Sequence, residues 1–384
     1  MPDLRSSRRA GSPRRLLMVG GGHAHALALR DLARPALSGV DLTLVSPQPR
    51  SAYSGMLPGL LAGFYRPDEI HIDLSRLARR AGARLLLDEM TGLDPNRRQV
   101  FFRSGRVITY DLLSLNIGAQ PDFRTPGAAE HTFSPKPIDR FLEEWRRILA
   151  DIPVTFARVR FAVVGGGAAG VELALAMQYA LSCMPGMRDR RRPDFHLFTG
   201  NGDLLAEHNP GVRRRFRHIL ARRGIQLHTG HRVRRVREGL LEFEGAPAFA
   251  CDAILWAAGA APPPWLADSG LTLDPSGFLL VKPTLQSVSH PYVFAAGDMA
   301  AVAGYPRPKA GVFAVRQGPP LARNLRRVLG GLPPEAIRPG RRFLSLVATG
   351  NRSAVASWGG WSAGGRLLWA WKDRIDRRFM ARFS

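Results

Sequence analysis

Two glycine runs, Gly20-Gly21-Gly22 and Gly165-Gly166-Gly167, are the residues of this chain best suited to holding a large anionic ligand. Each follows a short apolar stretch, 16–19 or 159–164, and each leads into helical spacing, over 24–32 or 168–181. A strand, a glycine turn and a helix in succession bring backbone close to a pyrophosphate. They also leave the helix's free N–H groups and positive dipole end facing it. One such loop is weak evidence, but the two copies agree downstream. Each is followed at nearly the same interval by an aspartate, Asp111 or Asp252, then an apolar run, then Gly-Ala-x-Pro. Those endings are Gly118-Ala119-Gln120-Pro121 and, after Ala258, Gly259-Ala260-Ala261-Pro262. An internal repeat of this kind predicts two dinucleotide-binding units.

The elements that must position these residues follow from the repeat. We expect an α/β fold with two Rossmann-like units, each carrying a β-meander of short alternating runs. A buried-type strand over 292–296 ends in Gly297-Asp298 and has no counterpart in the other copy, so the first unit is expected to be discontinuous. The expected division is a flexible basic tail over 1–13, a first unit over 14–130 and 280–340, an inserted second unit over 150–279, and a C-terminal cap over 341–384 with an amphipathic helix.

In this order the motifs resemble the pyridine-nucleotide flavoprotein oxidoreductases. Closer still, Gly20-Gly21-Gly22-His23-Ala24-His25, the loop from Tyr53 to Gly59, His71-Ile72-Asp73-Leu74, the stretch from Pro308 to Pro319 and that from Trp371 to Met380 are similar to an NADH dehydrogenase-like module. Some bacteria carry that module fused to selenophosphate synthetase, and type II NADH dehydrogenases are its better-understood relatives. The resemblance implies hydride transfer from NAD(P)H to FAD and on to an acceptor, with quinone favoured. It places FAD on Gly20, Gly22, His23, His25, Ser46, Ser54, Gly118, Ala119, Gly297, Asp298, Gly311 and Val312. It places NAD(P)H on Gly165, Gly167, Gly170, Thr199, Ala258 and Gly259. A ferredoxin-type or a selenium- or sulfur-linked reductase with a soluble acceptor, and a nucleotide-binding regulatory module without turnover, are the competing readings.

The sequence departs from the pattern in two respects. The third glycine of the first loop is replaced by His25, which should open the packing of helix on strand. The acidic residue that usually ends the second strand of each unit and bonds the ribose is replaced by Ser46 and Thr199. Loss of the carboxylate removes the repulsion that excludes a 2′-phosphate, but no arginine lies within 199–205, so NADH is favoured over NADPH.

Because a flavin supplies its own redox chemistry, few side chains need to be catalytic. Glu172, by resemblance near the nicotinamide, is one candidate, against the alternative that it only complements a helix dipole. Lys136 and Lys309 sit in proline-framed turns, where a cation near the flavin would stabilise its anionic reduced form. Solvation at the surface is the alternative for both. The helix expected over 310–323 should point at the flavin, with Gln317 and Gly318 near an approaching acceptor, and the loop from Tyr53 to Gly59 could cover the cofactor.

Bulk properties narrow the field further. With 384 residues, 45% of them hydrophobic, the chain can bury two cores. The net charge of +24 comes almost wholly from arginine, since Lys136, Lys282, Lys309 and Lys372 are its only lysines. No nucleic-acid motif accompanies it. Cys183 and Cys251 are far apart and form neither a redox relay nor a zinc site, so no metal is expected. No apolar run is long enough to span a bilayer, and the N-terminus lacks a signal-peptide core, so a cytoplasmic protein is expected. Leu368, Trp371, Ile375 and Phe379 recur at helical spacing beside Lys372, Arg374, Arg377 and Arg378. Such a helix can lie on the inner face of the cell membrane, or pack on its own body or on a second copy in a homodimer.

Overall fold

A computed structural model of the chain describes residues 13–151, 159–184, 193–338 and 343–384. Residues 1–12, nearly all of the expected basic tail, lie outside it. The first parallel sheet has the strand order Val293–Ala295, Leu112–Leu115, Arg14–Val19, Val40–Ser46, Arg84–Leu87. The second runs Ile225–Thr229, Asp194–Thr199, Arg160–Val164, Ala253–Trp256, repeating the arrangement without the fifth strand. Apolar residues fill these strands because helices cover both faces of a parallel sheet. Each unit also carries its meander. The first is Met90–Asp94, Gln99–Phe102 and Val107–Thr109; the second is Val233–Arg237, Leu240–Phe243 and Phe249–Ala250.

The glycine turns lead into the helices His23–Leu32 and Ala168–Ser182. A third helix, Gly311–Leu329, lies against the first, and Gly318 makes this close approach possible. A Cβ there would fall 2.6 Å from the Leu27 Cβ. Side-chain packing shifts the borders between units. Leu266, Leu271 and Leu279 are buried in the first core, so the chain returns to that unit before position 280. Phe141, Leu142 and Trp145, on the helix Ile138–Asp151, are buried in the second core.

The C-terminal segment forms an antiparallel sheet, Ser345–Ala348, Ala354–Trp358 and Trp361–Gly365, followed by the helix Arg366–Met380. Val347 and Val355 belong to the second core, and Phe379 and Phe383 to the first. The segment thus ties the two units together. Among the described residues, no helix is long and apolar enough to cross a membrane.

Candidate active site

The two Gly-Ala-x-Pro copies meet. Gln120 N donates to Ala261 O at 2.9 Å and Ala261 N to Gln120 O at 2.8 Å, and the Trp256 indole donates to Asp122 O at 2.8 Å. Since each copy ends the fourth strand of its unit, this pairing brings together the strand ends where nucleotides bind in open α/β sheets.

In the first unit the turn closes on Asn116, a residue the sequence reading missed. Its Oδ1 accepts from His25 N at 3.1 Å, and its Nδ2 donates to Ala296 O at 2.7 Å. A Cβ on Gly22 would fall 2.3 Å from that same Oδ1, so the second glycine of the loop is there to admit Asn116. An asparagine inside an apolar strand was the available signal, because a buried amide must find partners. His25 is fully buried behind the loop, with its ring nitrogens 2.7 Å from Gly20 O and 2.8 Å from Ser114 Oγ. Burial pushes its pKa down to about 4, so the ring is neutral. The imidazole joins helix to strand where a glycine would let them touch.

Around this turn the expected residues gather. Gly311 begins its helix beside His23 and Ser54: a Cβ on it would fall 3.7 Å from His23 Nδ1 and 3.8 Å from Ser54 Oγ. Burial lowers the pKa of His23, and its ring stands edge-on to Tyr53 at 5.1 Å. Lys136 Nζ lies 3.1 Å from Asp298 Oδ2. Ser46 is buried at the end of its strand, and Ala119 is buried beside Gly118. Val312 follows Gly311 in the first turn of the helix and is part-buried.

Two further residues of this region have inward partners. Gln317 turns inward, its Oε1 accepting from Gly297 N at 2.7 Å, so it holds the Gly-Asp turn instead of facing an acceptor. Lys309 donates to Ala300 O at 3.0 Å and lies 3.6 Å from the centroid of the Phe278 ring. Burial lowers its pKa, while Asp274 and Asp298 oppose the shift.

In the second unit Gly170 is required by close approach, because a Cβ there would fall 1.9 Å from Gly165 O. Thr199 is buried at its strand end under Gly166, and Gly259, after Ala258, lies against Asp122. Three helices, beginning at His23, Ala168 and Gly311, have no side-chain cap and no acidic residue in the first turn. Space is open at Gly118 and Gly167, where a Cβ would meet nothing within 4 Å. Uncapped N–H groups beside open space suit pyrophosphate anions, so these residues fit two dinucleotides.

Glu172 lies inside its helix and does not act as an N-terminal cap. Its Oε1 accepts from Ala348 N of the C-terminal sheet at 2.6 Å. Burial pushes its pKa up to about 7, against the opposing charge of Lys372 and the Ala348 N–H. Lys372 in turn donates to Gly55 O at 2.6 Å and Asp376 at 2.7 Å, and the Tyr53 hydroxyl donates to Asp376 at 3.1 Å. The C-terminal helix therefore clamps the loop from Tyr53 to Gly59 and reaches Glu172 as well. It also splits the expected apolar stripe. Phe379 is buried, 4.5 Å from the Tyr53 ring, whereas Trp371 and Ile375 face outward with Leu367.

Residues 14–318 match the family model described as pyridine nucleotide-disulphide oxidoreductase. The chain belongs to this family. It is an FAD-dependent NAD(P)H oxidoreductase. This pyridine nucleotide-disulphide oxidoreductase is 28% identical over 394 residues to the type II NADH:quinone oxidoreductase NdhA of Mycobacterium tuberculosis, covering 94% of this chain and 82% of that protein. It is 23% identical to an NADH dehydrogenase-like protein of Bacillus subtilis over 75% of this chain and 77% of the relative. Its fold matches the sulfide:quinone oxidoreductase of Aquifex aeolicus with a TM-score of 0.80 at 17% identity, covering 96% and 91% of the two chains. It matches NDH2 of Plasmodium falciparum with a TM-score of 0.78 at 15% identity, covering 97% of both. Despite the family's name, its cysteines Cys183 and Cys251 are free thiols, one exposed and one buried.

Proposed function

We propose that the chain passes a hydride from NAD(P)H, held on the second glycine turn, to FAD held on the first, and then reduces a quinone at an anionic membrane surface. The observation that carries the transfer is the pairing of Gln120 with Ala261, which sets the two nucleotide-binding ends against each other. When bound, FAD supplies a two-electron acceptor that can release its electrons to a second substrate. The protein's part is to bind, orient and exclude water.

In this reading Gly20, Gly22 and Gly311 offer backbone N–H groups to the FAD pyrophosphate, and Ser46 the ribose contact. Asp298 accepts from the ribityl hydroxyls, with its carboxylate steadied by Lys136 and its turn by Gln317. Gly165, Gly167 and Gly170 hold the nicotinamide coenzyme's pyrophosphate. Glu172, whose pKa burial raises to about 7, can take up or release a proton near neutral pH beside the C-terminal sheet.

The membrane part rests on the outer face of the C-terminal segment. Leu367, Trp371 and Ile375 are 87%, 44% and 43% exposed, and the hairpin residues Trp358 and Trp361 are 50% and 56% exposed. Arg366, Arg374 and Arg378 are exposed among them. Tryptophans at headgroup depth between arginines suit an anionic bilayer surface. A selenium-linked acceptor keeps only the sequence resemblance as support.

Anaerobic mixing with NADH or NADPH, followed by steady-state assays against a panel of quinones, ferricyanide and a ferredoxin, tests the reading. Bleaching of the flavin and turnover with quinone are expected. A flavin that neither coenzyme bleaches sinks the enzymatic reading, and turnover only with an iron–sulfur protein replaces the acceptor.

A further inference from the structure

We propose that the second nucleotide site takes NADPH, with Arg232 holding its 2′-phosphate. The inference rests on reading the turn from Gly165 to Gly170 as the NAD(P)H site, and it goes further by choosing the coenzyme. The sequence favours NADH because no arginine follows Thr199 directly, but the fold brings one in from elsewhere.

The strands Asp194–Thr199 and Ile225–Thr229 run parallel, with Thr199 opposite Thr229. The chain leaving the second of them therefore passes beside the end of the first. Gly230 N donates to Asn201 O and His231 N to Thr199 O, both at 2.9 Å. Arg232 then lies alongside Gly200, its Cβ, Cα and Cγ 3.4 to 3.7 Å from where a Cβ on that glycine would sit. The arginine stem thus runs in van der Waals contact with the end of the strand that carries Thr199.

The charges around this strand end are arranged for an anion. Thr199 offers a neutral hydroxyl, which accepts from Asn201 N at 3.2 Å, where a carboxylate would repel phosphate. Asp203, on the adjoining loop, is taken up by Arg217 at 2.9 Å and Arg213 at 3.7 Å. Glu244 approaches Arg232 at 3.8 Å, but both side chains are exposed, at 58% and 65%, and such a pair is worth little in water. Arg232 is thus available to a stronger anion. A phosphate gains charge-assisted hydrogen bonds from the guanidinium, which a ribose hydroxyl cannot match.

Two measurements on the FAD-loaded protein test this. In calorimetry, 2′,5′-ADP should bind about tenfold tighter than 5′-AMP, as a charged hydrogen bond implies. In turnover, Arg232→Ala should lower the ratio of kcat/KM for NADPH to that for NADH by about tenfold, with Arg232→Lys recovering part of it. Equal binding of the two nucleotides, or an unchanged ratio in Arg232→Ala, overturns the proposal. A protein that oxidises neither coenzyme defeats the functional reading instead, and the comparison of 2′,5′-ADP with 5′-AMP still decides this one.

Discussion

Lys136 and Asp298, 162 residues apart, meet with Nζ 3.1 Å from Oδ2 at the edge of the first nucleotide site. The aspartate side chain is 18% exposed and the lysine 44%, so the carboxylate is the better buried partner. In the reading proposed above, removing Asp298 takes away the ribityl contact itself, while removing Lys136 takes away only the ion pair that steadies it.

The purified protein should therefore be yellow, with about one FAD per chain. Asp298→Ala should raise the flavin dissociation constant about tenfold or more, the cost of a charged hydrogen bond. Lys136→Met should raise it by no more than about threefold, as expected for a half-exposed ion pair. Flavin absorbance after dialysis measures both. Equal effects would show that Asp298 acts only through its ion pair.

Glu172 sets a pH dependence. Its pKa is raised from 4.5 to about 7, so the folded state binds a proton more tightly than the unfolded chain. Its contribution to stability is full below about pH 4.5 and is lost as the pH rises through about 7. Glu172→Gln keeps an oxygen for the Ala348 N–H and removes the ionisation. The variant should match wild type near pH 4 and exceed it by roughly 3 kcal/mol at pH 8. Denaturant midpoints at the two pH values decide it, and a gap independent of pH would separate Glu172 from the titration.

The cysteines should be dispensable for flavin reduction. Burial pushes the Cys251 thiol up to about 12, and Cys183 is exposed with no second thiol beside it. Cys183→Ser with Cys251→Ser should change the rate of flavin reduction by less than about twofold, because neither can act as a thiolate relay. Loss of hydride transfer with flavin content intact would place a cysteine on the electron path.

The C-terminal helix should separate into two functions. Leu367→Ser, Trp371→Ser and Ile375→Ser together should reduce co-sedimentation with anionic liposomes about tenfold or more while leaving flavin content and ferricyanide reduction intact. Wild-type binding should weaken with salt. Cutting the chain before Arg366 should instead cost flavin and stability, since Lys372, Asp376 and Phe379 hold Tyr53 and Gly55. Intact protein that ignores anionic liposomes at low salt would point to a soluble acceptor.

Much of this fold is legible in the chain alone, because its signals are local. A glycine turn between an apolar run and a helical period marks itself, and so does Gly297-Asp298 at the end of a strand. Their recurrence in the same order identified two nucleotide units without any contact being known. Tertiary structure decided what depends on partners distant in sequence. His25 breaks the glycine pattern yet satisfies it, because Ser114 and the Gly20 carbonyl stand on either side of its ring. Period alone makes Trp371, Ile375 and Phe379 one stripe, but a helix wedged against Tyr53 buries Phe379 and leaves the other two outside. Glu172 takes its hydrogen bond from a sheet residue 176 positions later in the chain, and burial raises its pKa against that bond. Arg232 reaches Gly200 only because neighbouring strands run parallel and end level. Local pattern sets which element forms; burial, charge and the choice of coenzyme depend on which elements the topology makes neighbours.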